Sequence, residues 1–403
     1  MKRLPTGPLL RANPVGAALQ GLGRRQLNRR DLFRISGLSA ATIAFAAACG
    51  SKPSGPTIRF ANWPLYMDPE LPELTKFTEE TGINVTYEEV IEEMGPWFAK
   101  VQPQLAAGQD IGYDLMVITN GIQFKQFVQS NFLTRLDHSL LPNYAANGDP
   151  AYKHSTYDDG NIYSVPWASG MTGLAYDPEK TGREITSFED LFDPAFSGRI
   201  GLFSDAQELA NFGLLMIGVK PAESTPDDWR AAAAKLQELK GSGAIRKFYD
   251  QSYIDALASG EVWITQSWSG DILQRNISDG SSFEFVIPEE GGTIWTDNFT
   301  IPSTAAGLAD VHKLIDFFYR PDVAASLAEY IGYVSPVAAA KAVMQQDADA
   351  AEGEDKDYLE ALVASPLVFP DEATLANLHY YVSFETVALQ QEFESIFEPL
   401  VIG

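Results

Sequence analysis

In the stretch EGGTIWTDNFT, residues 290–300, a glycine pair is followed by Trp295 and, two positions on, by Asp297. Residues two apart on a strand share a face, so the indole and the carboxylate would look the same way. A π surface and an anion set side by side both attract a cation. A core tryptophan near a loop-capping aspartate is the plain structural alternative. FSDAQEL offers a second pair, Asp205 and Glu208. Its D-x-x-E spacing is that of a helix capping box, and equally that of two carboxylates presented where a strand turns into a helix. The two roles are compatible.

Stepping along the chain gives the elements that would position these groups. TIRFANW (57–63) reads as a strand, LPELTKFTEETG (71–82) as a helix stopped by Gly82, and INVTYEEV (83–90) as a second strand. A helix follows near 94–107. YDLMVIT (113–119) is an apolar run, as in a strand buried on both faces, and 121–133 is again helical. The pattern restarts after YSVPWASGMTGLAYD (163–177). It gives a helix over 187–193, a strand over 199–204, helices over AQELANFGLLMIG and 225–241, and strands over 262–268 and 283–290. Alternation of this kind predicts two doubly wound α/β lobes, with crossovers near 167–170 and 296–303. The division is 57–169 with 297–341 for the first lobe and 170–296 with 342–403 for the second. The acidic run QQDADAAEGEDKD (345–357) reads as a solvated loop, and VALQQEFESIFEPL as an amphipathic helix packed on a lobe.

Ligand sites in such folds lie outside the carboxyl ends of the strands. Trp63 and Tyr66 follow the first strand there, and Thr119 and Asn120 the third. Asp205 and Glu208 follow 199–204, and Trp268 follows 262–268 with Asp271 close by. With Trp295 and Asp297, four aromatics and at least three carboxylates converge, with no Lys or Arg among them. Each alone has a structural explanation, as wall packing, a strand end or a cap. Together they would form a cleft of anions without partners, which is unfavourable unless a ligand is the partner.

Charge agrees. Residues 1–48 hold eight Lys/Arg against the single acid Asp31, while the remainder carries a formal net charge of −32. There is no basic footprint for nucleic acid. The basic N-terminus leads into the apolar run ISGLSAATIAFAAAC, whose fourteen residues before the cysteine are too short to span a bilayer. This is the pattern of an export signal over 1–48, and Arg29-Arg30 followed by Asp31-Leu32-Phe33 has the form of a twin-arginine signal. Cys49, the only cysteine, stands directly after the run and before the loose segment SKPSGPT. The setting resembles a lipobox. A lipidated Cys49 would hold the chain at the membrane surface, with 49–56 as a tether.

Longer stretches carry a wider resemblance. RFANWPLYMDPE, FTEETGINVTYE, YDLMVIT, SVPWASGMTGLAYD, FSDAQEL, EGGTIWTDNFTIP, FFYRPDVAASLAEYIGYVSP and DEATLANL together resemble the spermidine/putrescine-binding proteins of bacterial polyamine ABC transporters. The resemblance implies a periplasmic-binding-protein architecture of type II, two lobes closing about a hinge on a polyamine, and delivery to a membrane permease. By position it places an aromatic box on Trp63, Tyr66, Trp268, Trp295 and Tyr333, amine-binding carboxylates on Asp205, Glu208 and Asp297, and a hydroxyl on Thr119. Two positions depart. Gly121 stands where the family can have a tyrosine, and Tyr381 where it can have a glutamine, which implies a roomier or differently shaped pocket.

Other chemistries fit less well. An amino acid ligand would call for an arginine opposite its carboxylate. The four histidines, His138, His154, His312 and His379, do not cluster as metal ligands. Asp205 and Glu208, three apart at one helix start, are poorly placed as a glycosidase pair, and no nucleophile elbow is present. The expectation is a monomeric binding protein without cofactor or catalysis; a sensor with the same site and a different partner is the other reading.

Overall fold

The computed structural model describes residues 55–402, apart from 154, 156, 383 and 385. The segment read as an export signal and lipobox, with Cys49, lies outside the described residues.

Ten strands form one sheet: β1 (Thr57–Asn62), β2 (Asn84–Glu89), β3 (Leu115–Thr119), β4 (Ser164–Tyr176), β5 (Ile200–Phe203), β6 (Ile245–Tyr249), β7 (Ile264–Trp268), β8 (Glu284–Val286), β9 (Gly292–Thr300) and β10 (Leu378–His379). Their order is β2-β1-β3-β9-β4-β7-β5-β6, with β10 on β9 and β8 on β4. At one end β1 pairs in parallel with β2 and β3, and at the other β5 pairs in parallel with β6 and β7. Each parallel set needs helical crossovers, which gives the two doubly wound halves.

The halves are joined through β4 and β9, which run antiparallel from Ser164↔Thr300 to Thr172↔Thr293 with an irregularity between Pro166 and Ala168. The C-terminal part of β9 also pairs with β3, whereas the C-terminal part of β4 pairs with β7. Each long strand therefore leaves one half and enters the other. The crossing points expected near 168 and 297 face each other, since Ala168 is the partner of Asp297. A third segment crosses at the same level, where Ser169 exchanges backbone hydrogen bonds with Val334 at 3.0 and 2.9 Å.

Packing follows the topology. One cluster gathers Phe60, Leu115, Val117, Phe127, Trp167, Phe299 and Phe318 around the first half. Leu174, Leu202, Leu209, Trp229, Phe393 and Phe397 pack on one face of the second half, and Met171, Phe203, Tyr253 and Phe285 on another. Helix Ala206–Met216 is buried along nearly its whole length because the sheet lies on one side and helix Val387–Ile402 on the other. The C-terminal helix thus packs as expected.

Three expectations change. The run 345–357 is not a loop: it spans helices Ala340–Ala350 and Glu354–Ala364. Its acids are mostly exposed, while Met344, Ala348, Ala361 and Leu362 are buried, and the charge of the run masked that periodicity. Glu354, Asp355 and Asp357 fall in a first helical turn, where anions complement the helix dipole. The same helices join the first cluster through Met344, Leu362 and Val363, so residues 342–368 pack with the first half rather than with the second. The strand at 283–290 shortens to Glu284–Val286, because Pro288 removes a ladder donor. β6 and helix Ser269–Asp279 are two further elements that the sequence analysis did not name.

Trp167 fixes the crossing region from the first half. It is 2% exposed and meets the rings of Phe299 and Phe318 at 4.9 and 5.0 Å between centroids. Truncation here leaves a large cavity among stiff aromatics. Trp167→Ala is expected to lower the unfolding free energy by about 3–5 kcal/mol, measured by denaturant titration; a loss below about 1 kcal/mol would show that this contact does not anchor the crossing.

Candidate ligand-binding site

Between the halves lies a cavity of about 110 Å³. On this scale one water needs about 10–15 Å³, so the space suits a small elongated molecule. Glu92, Glu93, Asp205, Glu208, Asp250, Asp271 and Asp297 line it, and among the described residues no Lys, Arg or His does.

Asp297 sits in mid-β9 at 1% exposure. The β3–β9 register places it opposite Thr119, whose hydroxyl donates to Asp297 Oδ1 at 2.5 Å. Tyr66 donates to Oδ2 at 2.5 Å. Burial, only partly offset by these two donors, pushes the Asp297 carboxyl up to about 6.

Glu208 lies across the cavity on helix Ala206–Met216. Asp205 caps that helix, accepting from the Glu208 backbone N–H at 2.8 Å. The reciprocal half of the capping box is absent, because the Glu208 side chain turns away to the cavity wall. There Trp268 Nε1 and Thr172 Oγ1 each donate to Oε1 at 3.0 Å, and the Tyr381 hydroxyl donates to the same oxygen. Oε2 is buried and has no partner among the described residues. Burial pushes the Glu208 carboxyl up to about 7.

Asp271, noted in the sequence only as a neighbour of Trp268, completes the set. It lines the cavity and accepts from Tyr253 at 2.6 Å and Tyr333 at 3.0 Å. Burial raises its carboxyl as well. Asp205 stays exposed at the rim with its cap. Across the mouth Glu93 is raised, chiefly by burial and then by the charges of Asp205 and Asp250.

The walls are aromatic. Trp295 packs on Tyr333 at 5.4 Å and Trp268 at 6.5 Å, both edge to face. Tyr66 meets Tyr333 at 5.8 Å and Trp63 at 6.4 Å. Two glycines allow this. A Cβ on Gly170 would lie 2.3 Å from the Trp295 ring, and one on Gly270 would lie 2.4 Å from that of Tyr333. Trp295 and Asp297 do share a face, and their polar atoms reach Thr172 at 3.1 Å and Thr119 at 2.5 Å. All ten positions singled out from the sequence, Trp63, Tyr66, Thr119, Asp205, Glu208, Trp268, Trp295, Asp297, Tyr333 and Tyr381, line this one cavity.

Residues 74–353 match the family of bacterial extracellular solute-binding proteins. The chain belongs to that family. It is 30% identical over 315 residues to the spermidine/putrescine-binding periplasmic protein of Escherichia coli K12, covering 77% of this chain and 86% of that one. It is 26% identical over 369 residues to a putrescine/agmatine-binding protein of Pseudomonas aeruginosa, covering 87% and 93%. The substrate-binding protein of a spermidine/putrescine ABC transporter from Streptococcus pneumoniae superposes with a TM-score of 0.70 at 24% identity, covering 86% of this chain and 99% of that chain. That likeness confirms the fold.

Two features were missed in the sequence. Thr172, in the middle of β4, donates to Glu208 and accepts from Trp295; a threonine in an apolar strand gives no signal of that role. The space above Gly121 is not empty either. Gln207 fills it, its Oε1 lying 2.6 Å from where a Cβ would stand, so the pocket is not roomier at that end.

The raised carboxyls have a thermodynamic consequence. A carboxyl whose folded pKa lies above its unfolded value opposes folding when ionised, and that penalty disappears on protonation. For Glu208 the penalty is full above about 7 and gone below the ordinary glutamate value of 4.5. Glu208→Gln is therefore expected to raise the unfolding midpoint of the unliganded protein at pH 8, with the gain shrinking toward pH 5. Equal gains at both pH values would contradict the burial account.

Proposed function

We propose that this chain is the extracytoplasmic capture component of a polyamine ABC transporter: it takes up putrescine or spermidine between its two lobes and delivers it to the membrane permease. The observation that carries this reading is the set of buried Glu208 and Asp297 with half-buried Asp271, satisfied only by neutral donors. A dication threaded between aromatic walls supplies the missing charge. Its ammonium groups form charge-assisted hydrogen bonds to the carboxylates, and its methylenes lie on Trp63, Trp268, Trp295 and Tyr333. The names of the relatives in Escherichia coli and Pseudomonas aeruginosa support the same ligand class.

Uptake is a hinge motion. The two halves separate at the crossings near Ala168, Asp297 and Val334, a ligand enters past the acidic rim, and closure buries it. The rim field attracts cations and steers them inward. The task is binding and release, with no chemical step. Export over residues 1–48 and lipidation of Cys49, with 49–56 as a tether, would hold the protein as a monomer beside its permease; basic, apolar and lipobox-like segments support that placement. Among the described residues no helix is long and apolar enough to cross a membrane, which leaves transport itself to partner subunits.

Calorimetric titration with putrescine, cadaverine, spermidine and spermine, with arginine as control, tests the reading. At least one polyamine is expected to bind tightly, and Asp297→Asn to weaken it by more than about 2 kcal/mol, since it removes one member of a buried ion pair. Unchanged affinity in that variant would remove Asp297 from the site, and silence toward all four polyamines would refute the ligand class.

Acidification should act in a fixed direction. Protons compete with the cation for Glu208, at about 7, and Asp297, at about 6. Polyamine affinity should thus fall steadily from pH 8 to pH 5.5, with proton release on binding near pH 7; a flat profile contradicts the carboxylate assignment.

A further inference from the structure

Glu208 receives its hydrogen bonds on one oxygen only. Trp268 Nε1 and Thr172 Oγ1 each lie 3.0 Å from Oε1, and the Tyr381 hydroxyl donates to the same atom. Oε2 is buried and has no partner among the described residues. Two of the three donors, Trp268 and Tyr381, belong to the cavity wall, whereas Thr172 is not among the residues that line it. Thr172 is 4% exposed and stands in mid-β4, opposite Trp268 on β7 and Thr293 on β9. It can act on a ligand only through the groups it bonds.

Those groups fix how its hydroxyl is oriented. The Trp295 indole N–H, 3.1 Å from Thr172 Oγ1, can only donate, so it takes a lone pair of the hydroxyl. A threonine hydroxyl carries a single proton, and that proton goes to Glu208 Oε1. An indole, a hydroxyl and a carboxylate are thus linked in one direction, from Trp295 through Thr172 to Glu208. Serine can make the same two bonds, and valine, of nearly the same shape, can make neither.

The consequence falls on the charge of Glu208. With three donors directed at Oε1, the acid form must carry its proton on Oε2. Every donor to Oε1 favours the ionised form, while burial opposes it, and the carboxyl is pushed up to about 7. The titratable neighbours do not replace the hydroxyl. The charge of Asp205, at the start of the same helix, raises Glu208 further. The Tyr381 hydroxyl is kept protonated by burial and by the Glu208 charge, and it already donates to Oε1.

We propose that Thr172 is a positioning residue of the cleft: its hydroxyl, oriented by the Trp295 indole, keeps Glu208 an ionised acceptor and so sets how far the pH can fall before the site loses its hold on a cation. The inference rests on the reading of the cleft as a polyamine site and names what governs the charge of one of its carboxylates.

Two measurements on the wild type, Thr172→Val and Thr172→Ser test it. Carbon-13 NMR titration of the Glu208 carboxyl in the unliganded protein, assigned by its loss in Glu208→Gln, reads the charge directly. Calorimetry with putrescine and spermidine at pH 7 and pH 8.5 reads the effect on binding. The Glu208 midpoint is expected to rise in Thr172→Val and to return to the wild-type value in Thr172→Ser. Polyamine binding by the valine variant should be weaker by about fivefold at pH 7, the loss implied by a midpoint moved from about 7 to about 8, and the gap should nearly close at pH 8.5. Unfolding midpoints establish that each variant is folded, and Thr172→Ala takes the place of the valine variant if that one is not. An unmoved midpoint, an affinity loss equal at both pH values, or a serine variant that behaves like the valine one overturns the proposal and leaves the polyamine reading standing. Silence of the wild type toward both amines refutes that reading instead, and the titration of the unliganded protein still decides the role of Thr172.

Discussion

Two carboxylates, Glu208 and Asp297, are withdrawn from water in the centre of this molecule and a third, Asp271, is half-buried beside them, with no Lys or Arg among the described residues that line the cleft, and most of the structure around the cleft follows from that constraint. Each is given the best neutral partners available: Tyr66 and Thr119 for Asp297, Tyr253 and Tyr333 for Asp271, Trp268, Thr172 and Tyr381 for Glu208. Hydroxyl and indole donors ease the desolvation of an anion but do not cancel its charge. Glu208 and Asp297 are accordingly held near 7 and 6, and Glu208 Oε2 is left without a partner. Elsewhere the protein pairs its charges freely, as at Arg59 with Asp114 and Arg320 with Glu80. The absence of such a pair among the cavity-lining residues leaves the charge balance to a ligand.

The same donors tie the two halves together. Tyr66, from the first half, reaches the Asp297 carboxylate on the crossing strand β9. Tyr333, on the third crossing segment, bridges from Tyr66 to Asp271 on helix Ser269–Asp279. A ligand that draws on all three acids therefore acts on groups from both sides of the hinge at once. Differential contact with the closed state is what allows a ligand to shift a population toward closure. Binding and closure are in this sense one event, and the wall of aromatics supplies the water exclusion that makes each charge contact stronger.

The exchange between Gly121 and Gln207 shows how a pocket can be reshaped without being enlarged. The loss of a side chain on one helix start is offset by an amide from a helix in the other half, which also caps the helix that lost it.

Much of this was legible in the sequence because it is local. The period-2 spacing of Trp295 and Asp297, the D-x-x-E at a helix start and the apolar strands fix which residues share a face and which elements alternate. Strand ends in a doubly wound fold point to one edge whatever the details of packing, so eight of the ten candidate positions could be gathered from spacing alone; Tyr333 and Tyr381 came only from the family resemblance. The net negative charge, and the lack of lysine and arginine among the residues at the strand ends, already pointed toward a cationic partner. Tertiary structure decided the rest. Thr172 is a site residue only because β4 pairs between β9 and β7. Asp271 joins because Tyr253 and Tyr333, from separate segments, meet it at the start of helix Ser269–Asp279. The acidic run 345–357 is helical because one face finds the first core. Gln207 reaches Gly121 only when two halves, 85 residues apart in the chain at that contact, are brought face to face. Spacing along the chain determines faces; which faces meet is set by long-range packing, and that no local pattern encodes.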